Sequence, residues 1–527
     1  MSPRSTWWLA LGALFFALPA SAAPIVLEGD VPQGGPDHFF LEFDVPAGTK
    51  EIEIKHDDLS EDDVLDFGVL DPDGYRGWGG GTEEPTIIGE TAASRAYVPG
   101  PIKEGKWRVV VGKAKIVSTP ARYKVEIDLR TTPTLAPVAR RPYAAPPARK
   151  QGTRYYAGDF HVHSRESTDA SATLDENIVL AKSLGLDFIE ISDHNTITQL
   201  DFFGEAHDKH PDFLLLPGIE FTTYAGHANA IGATKWVDHK IGQPGVTIAG
   251  AAEAIRAQGA ILSINHPVID VGNACIGCAW KHDLDPSMIG GVEIATLGLT
   301  KGGSLFSSQA IAFWDGLLDK GAKIPAIGGS DDHKAGTATG FLPAKVGSPT
   351  TLIRASELSV NGILDGIRKG ATVVKLDSNE DAMVELEAVT KTGGEGLAFP
   401  GDTLGVRSII LRARVTKGAG GQIRFVKNGQ PLEFVAVPSD PYDYEMKVEP
   451  PQTGEDRWRA EALVEEKPRT VTSHIWLKAD PAGPVAEDPP EDDGCRASRG
   501  STPNAIAVAL FVLAALVVKR VVKRVTS

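Results

Sequence analysis

Two imidazoles stand two residues apart in "GDFHVHS", where His161 and His163 close an apolar-aromatic run. Residues i and i+2 of a β-strand project to the same face, so the pair makes a chelating fork at a strand end. Further along, Asp193 and His194 follow "FIEIS", Glu220 follows "LLLPGI", and His227 lies in "GHANAIG". His266 then follows "AILSIN", and Asp331 and His333 follow "PAIGGS". Six of the chain's 13 histidines thus fall at or just after successive apolar runs of one region. A lone H-x-H, Asp-His or Asn-His-Pro is an ordinary surface or core feature. Their conjunction in chain order points to a metal cluster. Mixed imidazole and carboxylate donors suit Zn, Mn or Fe better than Mg or Ca. Cations sharing a carboxylate activate water and absorb charge developing on substrate oxygens, the chemistry of metal-assisted hydrolysis. With no nucleophile elbow or phosphate-cradling P-loop in the sequence, water is the expected nucleophile.

The elements that must position these groups follow from the patterning. Over residues 152–382 apolar strands alternate with helical segments, as in "LDENIVLAKSLG" before "LDFIEISDHN". That grammar calls for a parallel barrel or doubly wound sheet, in which strand-end residues converge on one mouth. Residues 23–130 and 383–480 instead show short alternating runs divided by turn signals, Asn428-Gly429 among them, and each reads as a β-sandwich. Between the first sandwich and the barrel, residues 131–151 form a Pro-rich linker. The flanking sandwiches are expected to act as spacers that display the catalytic domain, with envelope contact as their alternative role.

The chain's two ends bear on compartment. Residues 1–22 combine Arg4, an apolar core and Ala20-Ser21-Ala22, the pattern of a secretory signal. Residues 481–503 are expected to form a disordered acidic, Pro-rich stalk, residues 504–522 a transmembrane or sorting helix, and residues 523–527 a basic tail. If retained, the apolar segment makes a membrane partner, with its basic flank on the cytoplasmic side. The expected location is extracytoplasmic, secreted or anchored in the envelope. A net charge of −16 argues against a nucleic-acid scaffold as partner. Cys275 and Cys278 lack the second pair of a zinc ribbon, and in an oxidising compartment they are expected to form a disulfide.

The ordered set H-x-H, S-D-H-N, G-I-E, strand His, N-H-P and S-D-x-H resembles the signature of the polymerase and histidinol phosphatase (PHP) superfamily. The wording "GDFHVHS", "EISDHN", "INHP" and "GGSDDH", with "CIGCAW" after N-H-P, looks most like its carbaryl-hydrolase-like branch. The C-terminal stalk, short helix and basic tail resemble surface-sorting signals of myxobacterial type. The superfamily resemblance implies a multidomain protein with a distorted (β/α)7 TIM-like barrel and two or three divalent metals. By motif, His161, His163, Glu220 and Asp331 would hold the first metal, and Glu220 would bridge to a second held by His227 and His266. His194 and His333 would hold a third, with Asp169, one residue later than the usual S-D-G position, as its further ligand. Asp159 and Asp193 would orient imidazoles from behind. Asp193 and Arg165 are the candidates for a catalytic part, and Arg165, Lys301 and Lys334 are the cations available to meet an anionic substrate, each with a solvated surface charge as its alternative and more ordinary reading. The expected activity is hydrolysis of a small anionic or ester substrate, foremost a phosphoester. Carbamate or carboxylic-ester hydrolysis, and a non-catalytic surface-binding role, are the alternatives.

Overall fold

Alternation of apolar and polar residues at the N-terminus yields two antiparallel four-stranded sheets packed face to face. One runs in the order Ile25–Asp30, Arg122–Arg130, Glu51–Asp57 and Thr86–Gly89. The other runs His38–Val45, Gly105–Lys115, Val64–Asp71 and Gly74–Gly80. Their inward residues, Ile52, Ile54, Phe67, Trp107, Val111 and Ile127 among them, close a buried core. This computed structural model describes residues 23–272, 275–299, 303–339 and 343–487. The signal-like segment, the apolar tail segment and Lys301 lie outside the described residues. Among the described residues no helix is long and apolar enough to cross a membrane.

The middle region divides its strands between two sheets. Lys150–Val162 lies parallel to Phe188–Ile191, which lies parallel to Leu214–Pro217. In the second sheet Glu220–Thr223, Gly226–Ile231, Ile261–Ile264, Gly291–Ala295 and Ala326–Gly328 follow in spatial as in chain order. Two isolated parallel bridges, Val162 with Asp332 and His194 with Glu220, join ligand-bearing ends across the sheets. Five α-helices occur among the described residues. Hydroxyl caps start three of them, at Thr173 with a full capping box and at Thr247 and Ser359.

A regular seven-unit alternation is therefore not what the sheets show. Only Tyr224 and Ala225 separate Glu220–Thr223 from Gly226–Ile231, so these strands close as an antiparallel hairpin with no room for a helix. Thr350–Leu358 likewise returns antiparallel to Lys150–Val162.

The C-terminal strands continue this sheet rather than hang from it. Thr372–Lys375 pairs antiparallel with Lys467–Thr472, which pairs with Glu455–Val464. A three-stranded sheet of Met383–Val389, Ile409–Thr416 and Tyr442–Val448 packs over it around Leu411, Phe425, Trp458 and Leu477. Arg459 ties the module to the Gly303–Leu318 helix through Asp315, at 2.8 Å. The linker has contacts its composition did not foretell, and the expectation of a disordered stalk needs correction for its first residues. The linker is docked, because Arg141 N–H donates to Asp201 O at 3.0 Å and Tyr143 meets Phe203 edge-on. The stalk's first residues also pack: Pro484 O accepts from Arg407 N–H at 3.0 Å, and Ala486 is buried against Val389 and Ile410.

Candidate metal centre

Glu220 is the hub. It begins its strand, is fully buried, and divides its two oxygens between two sets of imidazoles. Oε2 lies 3.2 Å from His161 Nε2, 3.3 Å from His163 Nε2 and 2.9 Å from His194 Nδ1. Oε1 lies 3.1 Å from His227 Nδ1 and 3.3 Å from His266 Nε2. Asp331 Oδ1 closes the first set, 3.3 Å from His161 Nε2 and 3.2 Å from His163 Nε2. Asp169 Oδ2 stands 3.3 Å from His194 Nε2 and 3.4 Å from His333 Nε2.

Three groups of donor atoms result, each within 4.8 Å of one another: His161, His163, Glu220 and Asp331; Glu220, His227 and His266; and His163, His194 and His333. A four-coordinate ion with arms of about 2.0–2.2 Å holds neighbouring donors roughly 3.3–3.6 Å apart. The first set matches that spacing closely. His161 Nε2 and Glu220 Oε2 are moreover buried without a hydrogen-bond partner, 3.2 Å apart. Orphaned donors facing one another at this separation are what a cation satisfies. The residues present fit divalent metals.

The electrostatics of the carboxylates agree with that fit, while a cation would have to displace the proton that His333 holds. Burial alone would raise the Glu220 carboxyl, but the charges of His194 and His161 outweigh it and hold it well below the usual carboxylate range. Asp331 is likewise held low against burial, chiefly by His161. Burial opposes protonation of His333, yet Asp169 raises it to about 9. The carboxylates thus retain negative charge inside the fold, the state a metal ligand requires.

Backbone strain marks the same positions. His266 and Asp331 hold positive φ, 27° and 61°, in a region that non-glycine residues rarely adopt. Asp331 is fixed by its N–H, which donates to His161 O at 2.8 Å.

Three partners of the ligands were not legible in the motifs. Glu293, at the centre of the Gly291–Ala295 strand, accepts from His161 Nδ1 at 2.9 Å through Oε1. Its Oε2 accepts from His266 N–H at 2.8 Å and from Thr296 Oγ1 at 3.0 Å. With one His161 proton held on Nδ1 by Glu293, Nε2 is the nitrogen that faces Glu220 and Asp331 and that would bind a cation once it gives up its own proton. Asn265 Nδ2 donates to Glu220 Oε1 at 3.3 Å, and Thr222 Oγ1 sits 2.6 Å from His194 Nδ1.

Asp159 and Asp193 play a different part from the expected one. Asp159 accepts from His161 N–H at 3.1 Å and Ser330 N–H at 2.9 Å through Oδ1, and from Gly347 N–H at 2.7 Å through Oδ2. Asp193 accepts from Ser164 N–H and Ser164 Oγ, both at 2.6 Å. They brace the loops beneath the ligands, because their short side chains reach backbone before they reach an imidazole. Arg165 is exposed and lines a separate cavity with Glu166, Asp175 and Lys209, so it does not face the metal ligands. Lys334 is also exposed and lies off the metal cavity's lining.

The ligands open into a cavity of about 590 Å³. Cys275 and Cys278 are joined as a disulfide and stand in its wall, with ligand atoms within 4.8 Å of a His227 nitrogen. The opposite wall comes from the N-terminal sandwich: Val64, Asp66, Trp78 and the Gly79–Thr82 turn. That module is therefore part of the site's enclosure and not a spacer.

No family profile matches this chain, and neither does any curated protein. Among solved structures it is similar to a two-domain protein from Bacteroides vulgatus ATCC 8482 containing a predicted PHP-like metal-dependent phosphoesterase. The TM-score is 0.34 and the identity 18%, over 64% of this chain and 100% of that one. A second similar structure, a candidate metal-dependent phosphoesterase from Bifidobacterium adolescentis ATCC 15703, gives a TM-score of 0.25 and 15% identity over 36% of this chain and 91% of its own. At these values the likeness does not establish membership of a family.

Proposed function

We propose that this protein is a metal-dependent hydrolase of phosphoesters. The observation that carries the reading is the division of Glu220, with one oxygen facing His161, His163 and His194 and the other facing His227 and His266. His161, His163, Glu220 and Asp331 would hold one cation, and Glu220, His227 and His266 a second. His194 and His333 would hold a third with Asp169. Bound there, divalent cations would supply an activated water and neutralise charge developing on the ester oxygens. The chain's own contribution is to fix that constellation. Glu293 sets the His161 tautomer, Asn265 turns the Glu220 carboxylate, and Asp331 is pinned through its backbone. The half-sheets, joined at their ligand ends, support reading the middle region as a distorted, opened form of a (β/α)7 barrel.

A second reading, hydrolysis of a carbamate or carboxylic ester, is favoured by the apolar part of the cavity wall, Val64, Ile269, Ile276 and Leu297. The experiment that separates the two strips the purified protein, reloads it with Mn or Zn, and assays 4-nitrophenyl phosphate, a 4-nitrophenyl phosphodiester and an aryl methylcarbamate side by side. Metal-dependent turnover of either phosphorus ester supports the first reading, and carbamate turnover alone replaces it with the second. Work outside the cytoplasm belongs to the same proposal, supported by the signal-like N-terminal sequence and by the joined Cys275 and Cys278.

A further inference from the structure

The wall that the N-terminal sandwich gives the metal cavity is built around one carboxylate. Val64–Asp71 and Gly74–Gly80 form a hairpin in which Phe67 pairs with Gly80 and Gly68 with Trp78, so Asp66 and Trp78 reach the cavity from one element. Asp66 pairs with Gly112 on its other side. A Cβ at Gly112 would lie 2.1 Å from the Tyr224 oxygen, so only glycine lets Tyr224 cross from the barrel to donate to Asp66 Oδ2 at 2.6 Å. Among the described residues Oδ1 has no hydrogen-bond partner, and no Lys or Arg pairs with this carboxylate. Trp78 stands beside it with its ring fixed, edge-on to His239 at 4.5 Å and tilted on His38 at 5.7 Å.

A carboxylate with one free oxygen, a rigid indole and apolar flanks make a receptor for an organic cation. Asp66 feels the charges on His194 and Asp169, which places it within electrostatic reach of the metal ligands. Burial pushes its carboxyl up to about 6 against the Tyr224 hydrogen bond, and it remains largely ionised at neutral pH.

We propose that Asp66 and Trp78 form a substrate subsite for an organic ammonium group, so that the substrate is an ester whose alcohol carries a protonated or quaternary amine. The subsite rests on the hydrolase reading for its place beside the reacting bond, and the phosphoester form of that reading makes the substrate an amino-alcohol phosphoester. The phosphoryl group then lies at the Glu220 cluster and the ammonium against the sandwich wall. The two modules must both be present for such a substrate to be held at two points.

The test compares two phosphodiesters of equal shape, 4-nitrophenyl phosphorylcholine and 4-nitrophenyl 3,3-dimethylbutyl phosphate, in which a neutral carbon replaces the ammonium nitrogen, on the metal-loaded full chain. The wild type is expected to prefer the choline ester in kcat/KM by about tenfold. In Asp66→Asn that ratio is expected to collapse towards one at unchanged metal content; because the ratio is taken within one variant, any general loss cancels. Binding of butyltrimethylammonium, followed by calorimetry, is expected in the wild type and lost in Asp66→Asn. A wild-type ratio near one together with no ammonium binding overturns the subsite, and needs no variant to fold. If neither diester turns over but butyltrimethylammonium binds in an Asp66-dependent way, the subsite stands and the phosphoester reading falls.

Discussion

Glu293→Gln separates a positioning role from a merely buried one. Glu293 is 1% exposed and serves three donors: Oε1 takes His161 Nδ1–H at 2.9 Å, and Oε2 takes His266 N–H at 2.8 Å and Thr296 Oγ at 3.0 Å. Glutamine keeps the shape but offers only one acceptor oxygen. Turned one way, its NH2 faces His161, whose tautomer is then released and whose proton can move to the nitrogen that faces Glu220 and Asp331. Turned the other way, it faces the His266 N–H and frees a backbone held at a φ of 27°. Either outcome loosens a ligand without removing it. Loss of such supporting hydrogen bonds weakens metal binding by about 10–100-fold, equivalent to about 1.4–2.7 kcal/mol. Competition against a chromogenic chelator, titrated with Zn or Mn, reads this directly, with circular dichroism confirming the fold. Wild-type metal affinity in folded Glu293→Gln would refute the assignment, because no third orientation of the amide satisfies all three donors as acceptors.

Asp331→Ala and His161→Ala are expected to lose bound metal and turnover while keeping the fold; wild-type rates in either would end the ligand assignment. Acid stability should depend on His207, whose Nε2 accepts from Leu215 N–H at 3.0 Å and which burial, aided by Arg149, pushes down to about 4. Its folded pKa lies below an unfolded value of about 6.5, so the unfolded chain binds more protons between them, and this contribution is full above about pH 6.5 and lost as pH falls towards 4. Melting temperatures followed across that window should fall less steeply in His207→Gln than in the wild type, and equal slopes would discount the residue. Deleting everything after Glu487 is expected to leave a folded, active protein with an unchanged melting temperature, since Ala486 still packs against Val389 and Ile410, and a lowered melting temperature would refute this. Cutting at Pro484 instead removes the Ala486 N–H bond to Ser408 O at 3.0 Å and should lower the melting temperature.

The candidate ligands were legible as a set because chelation imposes short, regular spacings. His161 and His163 obey the two-residue period of a strand, Asp193-His194, Glu220, His266 and Asp331 to His333 follow apolar runs, and His227 stands at the head of its own strand. Glu293 was not legible, since a charged residue inside "GVEIA" looks like any alternating strand position. Its role depends on the parallel pairing of Ser263 with Gly291 and Ile264 with Val292, which brings the strand alongside the one that leads into His266. The middle region's departure from a regular strand–helix alternation was hidden for a similar reason. "EFTTYAGHANAI" contains two good strands, and only their antiparallel register shows that no crossover helix separates them. The fusion of the middle region to the C-terminal module, Val373 against Thr472, likewise rests on register between segments distant in sequence.

The N-terminal sandwich is where sequence reasoning fell furthest short, and the physical cause bears on function. Its strands read correctly, yet nothing in a strand pattern states which outer face meets another domain. The contact is made by polar and aromatic groups: Tyr75 Oη donates to Asn195 O at 2.9 Å, Thr168 Oγ1 to Gly79 O at 2.6 Å, and Arg95 Nη1 to Ala170 O at 2.8 Å. Tyr75 also stacks on Trp236 at 4.5 Å. Interfaces of this mixed kind between domains of one chain ordinarily permit relative motion. Here the partners of the sandwich are the loops that follow His163, precede Asp169 and follow His194. Any displacement of the sandwich therefore moves the segments that carry the candidate third-site ligands. Asn195→Ala leaves the Tyr75 bond to its backbone intact, whereas Tyr75→Phe removes it. If the sandwich steadies these loops, Tyr75→Phe should weaken metal binding at the candidate group of His194, His333 and Asp169 before the other two groups, and a uniform loss across all three would argue for general destabilisation instead.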